Sequence, residues 1–469
     1  MLFDSPIYIL SLSLVVLIYW RLGHRHQNWF LLAFSYFFYG WWDWRFLGLI
    51  LISTVVDFYC ANAIESTRNP TRRKLLLGIS VGVNLAFLGY FKYFNFFVGS
   101  LHTALASIGI NTQESLLSVV LPPGISFYTF QAIAYIADVY RKRIPAAKSM
   151  SDYALFISLF PHLIAGPIQR PDHLLPQVKK SRSFSALDFS NGIMLIISGL
   201  FRKCVVADQC AIIANGAFSG ALGPPSIAVV AIGTYAFAWQ IYGDFSGYSN
   251  IARGSAQLLG FHFMVNFRQP YLAISLQDFW RRWHISLSSW LRDYLYIALG
   301  GNRGSKLATY RNLLITMLLG GLWHGANWTF VVWGAIHGIG LAMARALRLG
   351  PSTDHSSGLC ELWTKRILTF HLICIAWVFF RADSLPAALD FLGGLLHWNW
   401  RQEYFGAAIV IAEWGLTLLV IDIVEARRDE EFASEKSTST VQLMVATLLL
   451  FATLIFAGNS INAFIYFAF

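Results

Sequence analysis

The segment LWHGANW, at residues 322–328, places His324 inside a long apolar stretch at about residues 311–345. A membrane span needs about 20 apolar residues, and this stretch is long enough to supply them. An ionisable side chain at membrane depth is costly unless it is paired or used, so such residues usually mark a pathway or a reaction centre. The alternative is a core histidine that only hydrogen-bonds a neighbouring carbonyl. The segment therefore predicts a membrane protein with a buried functional histidine.

The composition of the whole chain agrees with that interpretation. Of its 469 residues, 56% are hydrophobic and only 13% are charged, and the mean hydropathy is +0.53. Soluble proteins contain about 25% charged residues, so lipid is the expected solvent for most of this chain. The apolar runs predict an all-α polytopic membrane protein with roughly ten to twelve transmembrane helices and shorter re-entrant and interfacial helices.

We expect a single membrane domain over residues 1–469. Prolines interrupt the apolar segments between residues 161 and 176. Broken helices at membrane depth are tolerated inside protein or beside a water-filled cavity, so residues from about 120 to 345 are predicted to form a packed core around a cavity. Residues 425–440 are predicted to form a charged, solvated loop before the last span.

Basic residues in the early loops predict the orientation in the membrane. Cytoplasmic loops are enriched in Lys and Arg. Clusters follow the predicted first, third and fifth spans at residues 21–25, 68–74 and 141–143, whereas the loop at residues 100–118 carries neither Lys nor Arg. We therefore predict that the N-terminus lies outside the cytosol and that the three basic loops lie inside it.

The net charge of +10 does not indicate nucleic acid as a partner. The basic residues are dispersed in short loops, where they serve as topology determinants close to anionic membrane lipid. The five cysteines form no CxxC pair, so no zinc site or disulfide framework is expected. One basic cluster keeps a second interpretation, as a site for acidic substrate or cofactor phosphates: Arg281, Arg282, Arg292, Arg303, Lys306 and Arg311.

Residues 279–294 are predicted to form one amphipathic helix. At a period of about 3.6 residues its tryptophans share one face and its arginines occupy the other. Such a helix lies in the membrane interface, where tryptophans reach the headgroups and arginines reach phosphate or water. His284 falls at the edge of the aromatic face and is predicted to point inward, into a chamber shared with His324.

Three other polar residues are weaker candidates. His162 is expected to be structural, because it can satisfy carbonyls that a re-entrant turn sets free. His337 is expected to serve packing, because on an unbroken helix it points to a different side from His324. Asp244 either orients a histidine or caps the following helix.

The absence of several sequence motifs reduces the number of reactions that this chain could catalyse. The sequence contains no Gly-Lys dipeptide, no G-x-G-x-x-G and no G-x-S-x-G, which argues against nucleotide-driven transport and serine hydrolysis. Histidines without a protein nucleophile suit direct transfer, in which a neutral imidazole takes the proton of a hydroxyl or thiol that attacks a thioester. Because burial disfavours a charged imidazole, His324 is the predicted general base.

Three motifs carry a resemblance to a known family: FWRRWHISLS at residues 279–288, LRDYLY at 291–296 and LWHGAN at 322–327. DFSGYS at 244–249, GISFYTF at 124–130 and FPHLIAGP at 160–167 extend it. Together they resemble the membrane-bound O-acyltransferase family, specifically its alginate O-acetyltransferase branch. The resemblance implies a helical core with a central funnel, the family's near-invariant histidine at His324 and its second motif histidine at His284.

The resemblance also implies an activity. It implies an enzyme that moves acetyl groups from a cytoplasmic thioester, with acetyl-CoA the expected donor, across the bacterial inner membrane for O-acetylation of an exopolysaccharide of the alginate or cellulose type. Periplasmic acetyltransferase or accessory proteins are the expected partners, and no bound cofactor or metal is expected. Two alternatives stay open: a D-alanyl-type acyltransferase that uses a carrier-protein thioester, and a non-enzymatic polysaccharide or acyl conduit.

The predicted site combines two roles. His324 and His284 are the predicted catalytic residues. Six neighbours are predicted to bind substrate or cofactor: Trp323, Asn327, Asp244, Arg281, Arg282 and Trp283.

Overall fold

Helices and the loops between them make up the residues that the computed structural model describes, which are 2–110, 112, 116–164, 166–347, 358–432, 434–457 and 464–465. No β-strand occurs in these ranges, and the predicted all-α polytopic membrane protein is confirmed. The chain divides into two compact units. One holds the residues up to Phe189 together with Ser255–Met264, and the other holds Ser190–Gly254 and the residues from Val265 onward. The assignment of the chain to a single domain stays a prediction.

The described residues of the first unit form nine α-helices: α1 (Pro6–Tyr19), α2 (His24–Asp43), α3 (Leu47–Ser66), α4 (Pro70–Leu88), α5 (Phe94–Ser107), α6 (Ile125–Tyr140), α7 (Met150–Ser158), α8 (Phe160–Leu163) and α9 (Pro171–Lys179). Buried tyrosines fix α1 to the segment Ser255–Met264. The Tyr8 hydroxyl donates to the Ser255 hydroxyl at 2.8 Å, and the Tyr19 hydroxyl donates to the Leu259 carbonyl at 2.9 Å. Each buried hydroxyl thereby gains the partner that burial requires.

Two of the basic loops lie at one end of the first unit. Arg73, in the first turn of α4, donates to the carbonyl of Tyr140 at the end of α6 (2.6 Å), and Glu65 at the end of α3 pairs with Lys148. The segments after α3 and after α6 therefore share an end. The loop at residues 100–118, predicted to face the other side, lies partly outside the described residues.

The second unit contains most of α10 and of α12 and all of the later helices: α10 (Ala186–Leu200), α11 (Asp208–Phe218), α12 (Ile227–Leu258), α13 (Leu276–Arg282), α14 (Ile285–Trp290), α15 (Lys306–His324), α16 (Trp328–Ala346), α17 (Leu359–Arg381), α18 (Leu385–Gly393), α19 (Glu403–Arg428) and α20 (Ser439–Phe456). Two π-helical segments extend this set. Phe201–Ala207 joins α10 to α11, and Leu291–Tyr296 continues α14.

Seven helical segments of the described residues are long and apolar enough to cross a membrane: His24–Ser66, Pro70–Ser107, Ala186–Phe218, Trp328–Ala346, Leu359–Arg381, Glu403–Arg428 and Ser439–Phe456. This count is lower than the roughly ten to twelve spans predicted from apolar runs. Helices α2 and α3 are joined by a short 3₁₀ turn and count as one segment. Helices α12 and α15 are long enough, but charged and polar residues within them lower their hydropathy.

The segment LWHGANW is the turn of a helical hairpin. The single span predicted at residues 311–345 is instead two helices, α15 and α16, that pack tightly against each other. A Cβ added at Gly321 would lie 2.1 Å from the Phe330 carbonyl oxygen, and one at Gly334 would lie 2.3 Å from the Met317 carbonyl oxygen. Only glycine allows this approach, which is the way that small residues bring membrane helices together.

The helix predicted at residues 279–294 is interrupted in its middle. Helix α13 ends at Arg282 and α14 begins at Ile285, and between them His284 has a left-handed backbone (φ 42°, ψ 53°). This conformation costs a non-glycine residue about 1–3 kcal/mol and clusters at functional sites. Continuity was wrongly predicted because hydrophobic periodicity reports which faces are apolar, not where the backbone breaks.

The predicted faces of this segment are confirmed despite the break. Trp283 and Trp290 are buried at 1% and 7% exposure. Arg281 and Arg292 are exposed. The break therefore changes the direction of the backbone at His284, while the tryptophans on either side of it stay packed against protein.

The predicted solvated loop at residues 425–440 is shorter than expected. Helix α19 continues to Arg428 and α20 begins at Ser439, with one residue between them outside the described set. Glu425 is only 2% exposed and lies 3.1 Å from the guanidinium of Arg202. The helix extends into the predicted loop because this buried ion pair holds its last turns.

Candidate active site

Two buried histidines of the second unit lie side by side. The ring centroids of His284 and His324 are 6.3 Å apart, and the two residues are 0% and 2% exposed. His324 is the last residue of α15, before the hairpin turn, and His284 occupies the break between α13 and α14. Two interruptions of helical structure thus bring together the two histidines that the sequence singles out, while their catalytic roles stay predictions.

Aromatic rings surround His324. Its ring centroid lies 5.0 Å from that of Trp323, 5.1 Å from Trp333 and 5.2 Å from Phe380, each in an edge-to-face arrangement. Trp323 also contacts His284, at 5.9 Å between centroids. A wall of this kind limits the access of bulk water to the ring of His324.

His284 is held by an asparagine that sequence analysis did not identify. Its Nδ1 atom lies 3.0 Å from Oδ1 of Asn266, and its ring packs edge-to-face on Phe245 with centroids 4.5 Å apart. Its Nε2 atom is buried without a hydrogen-bond partner among the described residues. Burial lowers the pKa of His284 well below its ordinary range, so the ring is neutral at physiological pH.

Asn266 gives no signal in the sequence. It follows α12 in an irregular stretch, where asparagine is an ordinary turn residue. The structure buries it to 1% exposure, and its backbone carbonyl accepts from the N–H of Ile285, at the start of α14 (2.9 Å). Only the folded chain reveals that this loop lies against the helix break.

Trp283 packs behind the rings that surround the two histidines. It is 1% exposed, and its ring lies 5.0 Å from Phe267 and 5.0 Å from Trp377, measured between centroids. The predicted substrate contact of Trp283 stays a prediction, whereas its packing role is evident.

Asn327 caps the second helix of the hairpin. Its Oδ1 accepts from the Thr329 N–H (3.0 Å), and its Nδ2 donates to the carbonyl of Asp383 (3.0 Å). Both polar atoms of the side chain are thus engaged with the backbone. Asn327 has a clear structural function beside the substrate contact predicted for it.

Asp244 lies within α12 and not at its start, so the predicted helix cap is wrong. The residue stands well inside a 32-residue helix, where no free N–H groups need a cap. Its carboxylate lies 3.0 Å from Nζ of Lys203 and accepts from the N–H of Ile465 at 2.7 Å. The charge of Asp244 is therefore compensated by a buried lysine, and its predicted roles in orienting a histidine and binding substrate stay predictions.

The two arginines of α13 have different surroundings. Arg282 pairs with Asp278, four residues earlier, at 2.9 Å. Arg281 lines a cavity of about 640 Å³ together with Arg292 and Arg345. Much of the remaining cavity wall consists of apolar side chains from α14, α15 and α16. The cavity thus combines guanidinium groups with an apolar surface, and it contains two members of the predicted basic cluster.

His337 packs among aromatic rings, as expected, and lies on α16 instead of on the helix of His324. Its ring lies 4.7 Å from Trp333, which also contacts His324, and its Nδ1 accepts from the indole N–H of Trp280 (3.3 Å). Only the premise of that expectation was wrong, because the single helix that it assumed is two helices. In the first unit, His162 packs edge-to-face on Phe263 at 5.3 Å.

Comparison with known proteins gives a consistent result. Residues 141–382 match the model of MBOAT, the membrane-bound O-acyltransferase family. The probable alginate O-acetylase AlgI of Pseudomonas syringae pv. tomato is 42% identical over 463 residues, which cover 98% of this chain and 82% of that protein. The peptidoglycan O-acetyltransferase of Helicobacter pylori is 37% identical over 437 residues (85% and 80%). The teichoic acid D-alanyltransferase of Streptococcus thermophilus is 27% identical over 303 residues (58% and 70%).

Proposed function

Because the chain belongs to the membrane-bound O-acyltransferase family, in its alginate O-acetyltransferase-like branch, we propose that it supplies acetyl groups for a bacterial exopolysaccharide of the alginate or cellulose type. The chain is an acyltransferase of polysaccharide O-acetylation, as its relatives are. The observation that carries the mechanistic part of the proposal is the buried pair of His284 and His324.

The proposed reaction uses His324 as general base. Its imidazole takes the proton of an attacking hydroxyl or thiol while the new bond to the thioester carbonyl carbon forms. The carbon–sulfur bond then breaks, and the proton passes to the leaving thiolate. The aromatic wall around His324 favours transfer over hydrolysis because it limits the access of water.

The cavity beside the helix break supports an anionic thioester as donor. Guanidinium groups bind phosphate through paired, charge-assisted hydrogen bonds, and Arg281, Arg292 and Arg345 all line this cavity. Its apolar wall suits the pantetheine arm of acetyl-CoA. An acetyl group is favoured over D-alanyl because the similarity to the D-alanyl enzyme covers less of the chain at lower identity.

The proposed acetylation pathway extends beyond this chain. Acetyl groups from a cytoplasmic donor must reach a polymer outside the inner membrane, so periplasmic acetyltransferase or accessory proteins are the proposed partners. Loss of polymer acetylation in strains that lack those proteins, with this chain still present, is the expected result.

Replacement of the base tests the function directly. We expect His324→Ala to abolish acetylation of the secreted polymer and transfer of label from [¹⁴C]acetyl-CoA in membranes. A positioned base contributes typically 10²-fold to 10⁴-fold in rate, far more than a packing defect imposes on transfer. Polymer synthesis should continue, since other proteins make the polymer.

The control is the membrane level of each variant, compared with the wild-type chain. Wild-type acetylation in a well-expressed His324→Ala variant would contradict the catalytic role and favour the conduit, in which this side chain only lines a pore. Absence of label transfer from acetyl-CoA by the wild-type chain would instead favour a carrier-protein donor.

The proposed location is the inner membrane, with the N-terminus in the periplasm. The shared end of the basic loops at residues 68–74 and 141–143 supports one orientation for both. Pro70–Ser107 is long and apolar enough to cross the membrane, which supports a location of the loop that follows it on the opposite side. Reporter fusions should give a periplasmic signal at residues 100–118 and a cytosolic signal at the two basic loops. The reverse pattern would overturn this orientation.

A further inference from the structure

Asn266 determines which nitrogen of His284 carries the proton. Its Oδ1 atom lies 3.3 Å from the backbone N of Ser286, 2.9 Å from the hydroxyl of Ser286 and 3.0 Å from Nδ1 of His284. A backbone N–H can only donate, so the Asn266 atom that faces it is the oxygen and not the amide nitrogen. The amide nitrogen donates in turn to the hydroxyl of Ser249 at 3.0 Å.

The tautomer of His284 follows from this assignment. An unprotonated Nδ1 would oppose its lone pair to that of the Asn266 oxygen, so Nδ1 carries the hydrogen and donates it. In a neutral imidazole the other nitrogen is then an acceptor. Nε2 of His284 is this acceptor, and it has no partner among the described residues. Buried acceptors without a partner are rare in folded proteins and require an explanation.

The surroundings of His284 identify the group that this acceptor can serve. Helix α12 presents Phe245 to the ring, and the loop after it presents Phe267. Among the described residues, the titratable ring that packs against His284 is that of His324, from α15, with a centroid separation of 6.3 Å. One water or a small rotation of either ring spans that separation.

We propose that Asn266 is a positioning residue of the acyl transfer: it holds His284 as the Nδ1-protonated tautomer, so that Nε2 accepts a hydrogen bond from His324 once His324 has taken the proton. This inference rests on the proposed function. The carbon–oxygen or carbon–sulfur bond to the acceptor forms as the thioester bond breaks, and the proton moves from the attacking group through His324 to the leaving thiolate. His284 keeps its own proton throughout.

The simpler interpretation is that Asn266 only braces the loop. Its backbone carbonyl accepts from the N–H of Ile285 (2.9 Å), and the next turn of the loop adds a bond from the N–H of Arg268 to the carbonyl of Arg282 (2.9 Å). A brace predicts lower folded yield but no change in the pH dependence of transfer. The pH profile therefore distinguishes the two roles.

Asn266→Asp is the decisive variant. Its carboxylate keeps an acceptor oxygen for Nδ1 of His284 and for the N–H of Ser286, and it adds a negative charge. That charge favours the imidazolium and raises the pKa of His284 from its lowered value. Once protonated, Nε2 can no longer accept, so transfer is lost as the pH falls through the raised pKa. We expect the acid limb of label transfer from [¹⁴C]acetyl-CoA, in membranes with the whole enzyme, to move to higher pH.

Asn266→Leu removes the acceptor, so both tautomers of His284 become accessible. We expect kcat to fall by about tenfold or more, with little change in KM. Ser249→Ala is the matched control, since it removes the bond on the other side of the Asn266 amide; it should keep the wild-type kcat and pH profile. Should Asn266→Leu fail to fold, Asn266→Asp alone decides the question.

A folded Asn266→Asp variant whose acid limb coincides with that of the wild type overturns the proposal, as does one with no activity at any pH. Failure of the proposed function is separately visible, because the wild-type chain would then transfer no label or His324→Ala would transfer it normally.

Discussion

Two of the buried polar centres of the second unit differ in charge and in how completely they are paired. In one, the guanidinium of Arg202 lies 3.1 Å from Glu425 and 3.4 Å from Asp422, and the hydroxyl of Tyr242 donates to Asp422 at 2.9 Å. In the other, the neutral ring of His284 is bound to a carboxamide at one nitrogen and to no described group at the other.

This difference indicates that one centre stabilises the fold and that the other takes part in the reaction. Charges are tolerated in a protein interior when they are paired, and the ion centre fixes the π-helical segment Phe201–Ala207 against α19. A buried acceptor without a partner stabilises nothing by itself, so it is expected where a ligand or a reaction intermediate completes it. The ion centre is thus expected to govern folding and the histidine centre to govern transfer.

Removal of the arginine should have the largest effect on stability. Arg202→Met leaves Asp422 and Glu425 buried without a cation, and loss of one partner from a buried ion pair costs about 3–5 kcal/mol. We expect a large fall in monodisperse yield and in Tm in detergent. His284→Ala should leave both near wild type and reduce acetylation, by less than His324→Ala does.

The matched control for the ion centre is the triple variant Arg202→Met, Asp422→Leu, Glu425→Leu. It removes all three charges, and such replacements are often neutral, so its yield should recover relative to the single variant. If Arg202→Met folds normally and loses acetylation, the ion centre takes part in the reaction and the proposed division is wrong.

Sequence alone identifies one of these centres and misses the other. His324 was visible because a lone ionisable residue within an apolar stretch is unusual whatever the fold. Arg202 and Glu425 are 223 positions apart, and each follows an apolar run where a charged residue is expected at a membrane surface. Their pairing depends on which helices pack together, which no local pattern encodes.

The two helix breaks also differ in whether the sequence predicts them. The hairpin turn carries readable signals, since Gly325 follows the last turn of α15 and Asn327 precedes the next apolar run as a helix cap would. The left-handed backbone of His284 has no such signal, because the residue lies between two tryptophan-rich turns of helical periodicity. Tertiary contacts from the loop that contains Asn266 stabilise it.

An intermediate effect is expected in the aromatic core behind the histidines. Trp283→Ala removes a fully buried ring and should cost about 3 kcal/mol, whereas Arg292→Ala removes an exposed side chain paired with Asp293 and should cost less than about 1 kcal/mol. Monodisperse yield in detergent should therefore fall further for the tryptophan variant. A larger fall in yield for Arg292→Ala would indicate that this arginine belongs to a binding site or a buried ion pair, and the assignment of the two faces would be wrong.

The smallest effect is expected at the hairpin turn. Asn327→Ala removes the cap of α16, which typically costs about 1 kcal/mol, and should lower Tm slightly while acetylation stays near wild type. Asn327→Asp is the matched control: aspartate also accepts from the Thr329 N–H but cannot donate to the Asp383 carbonyl, so its Tm should fall less than that of Asn327→Ala. If Asn327→Asp keeps most of its Tm and loses acetylation, the carboxamide contacts substrate as the sequence predicts. The turn beside His324 would then belong to the reaction centre and not to the architecture that supports it.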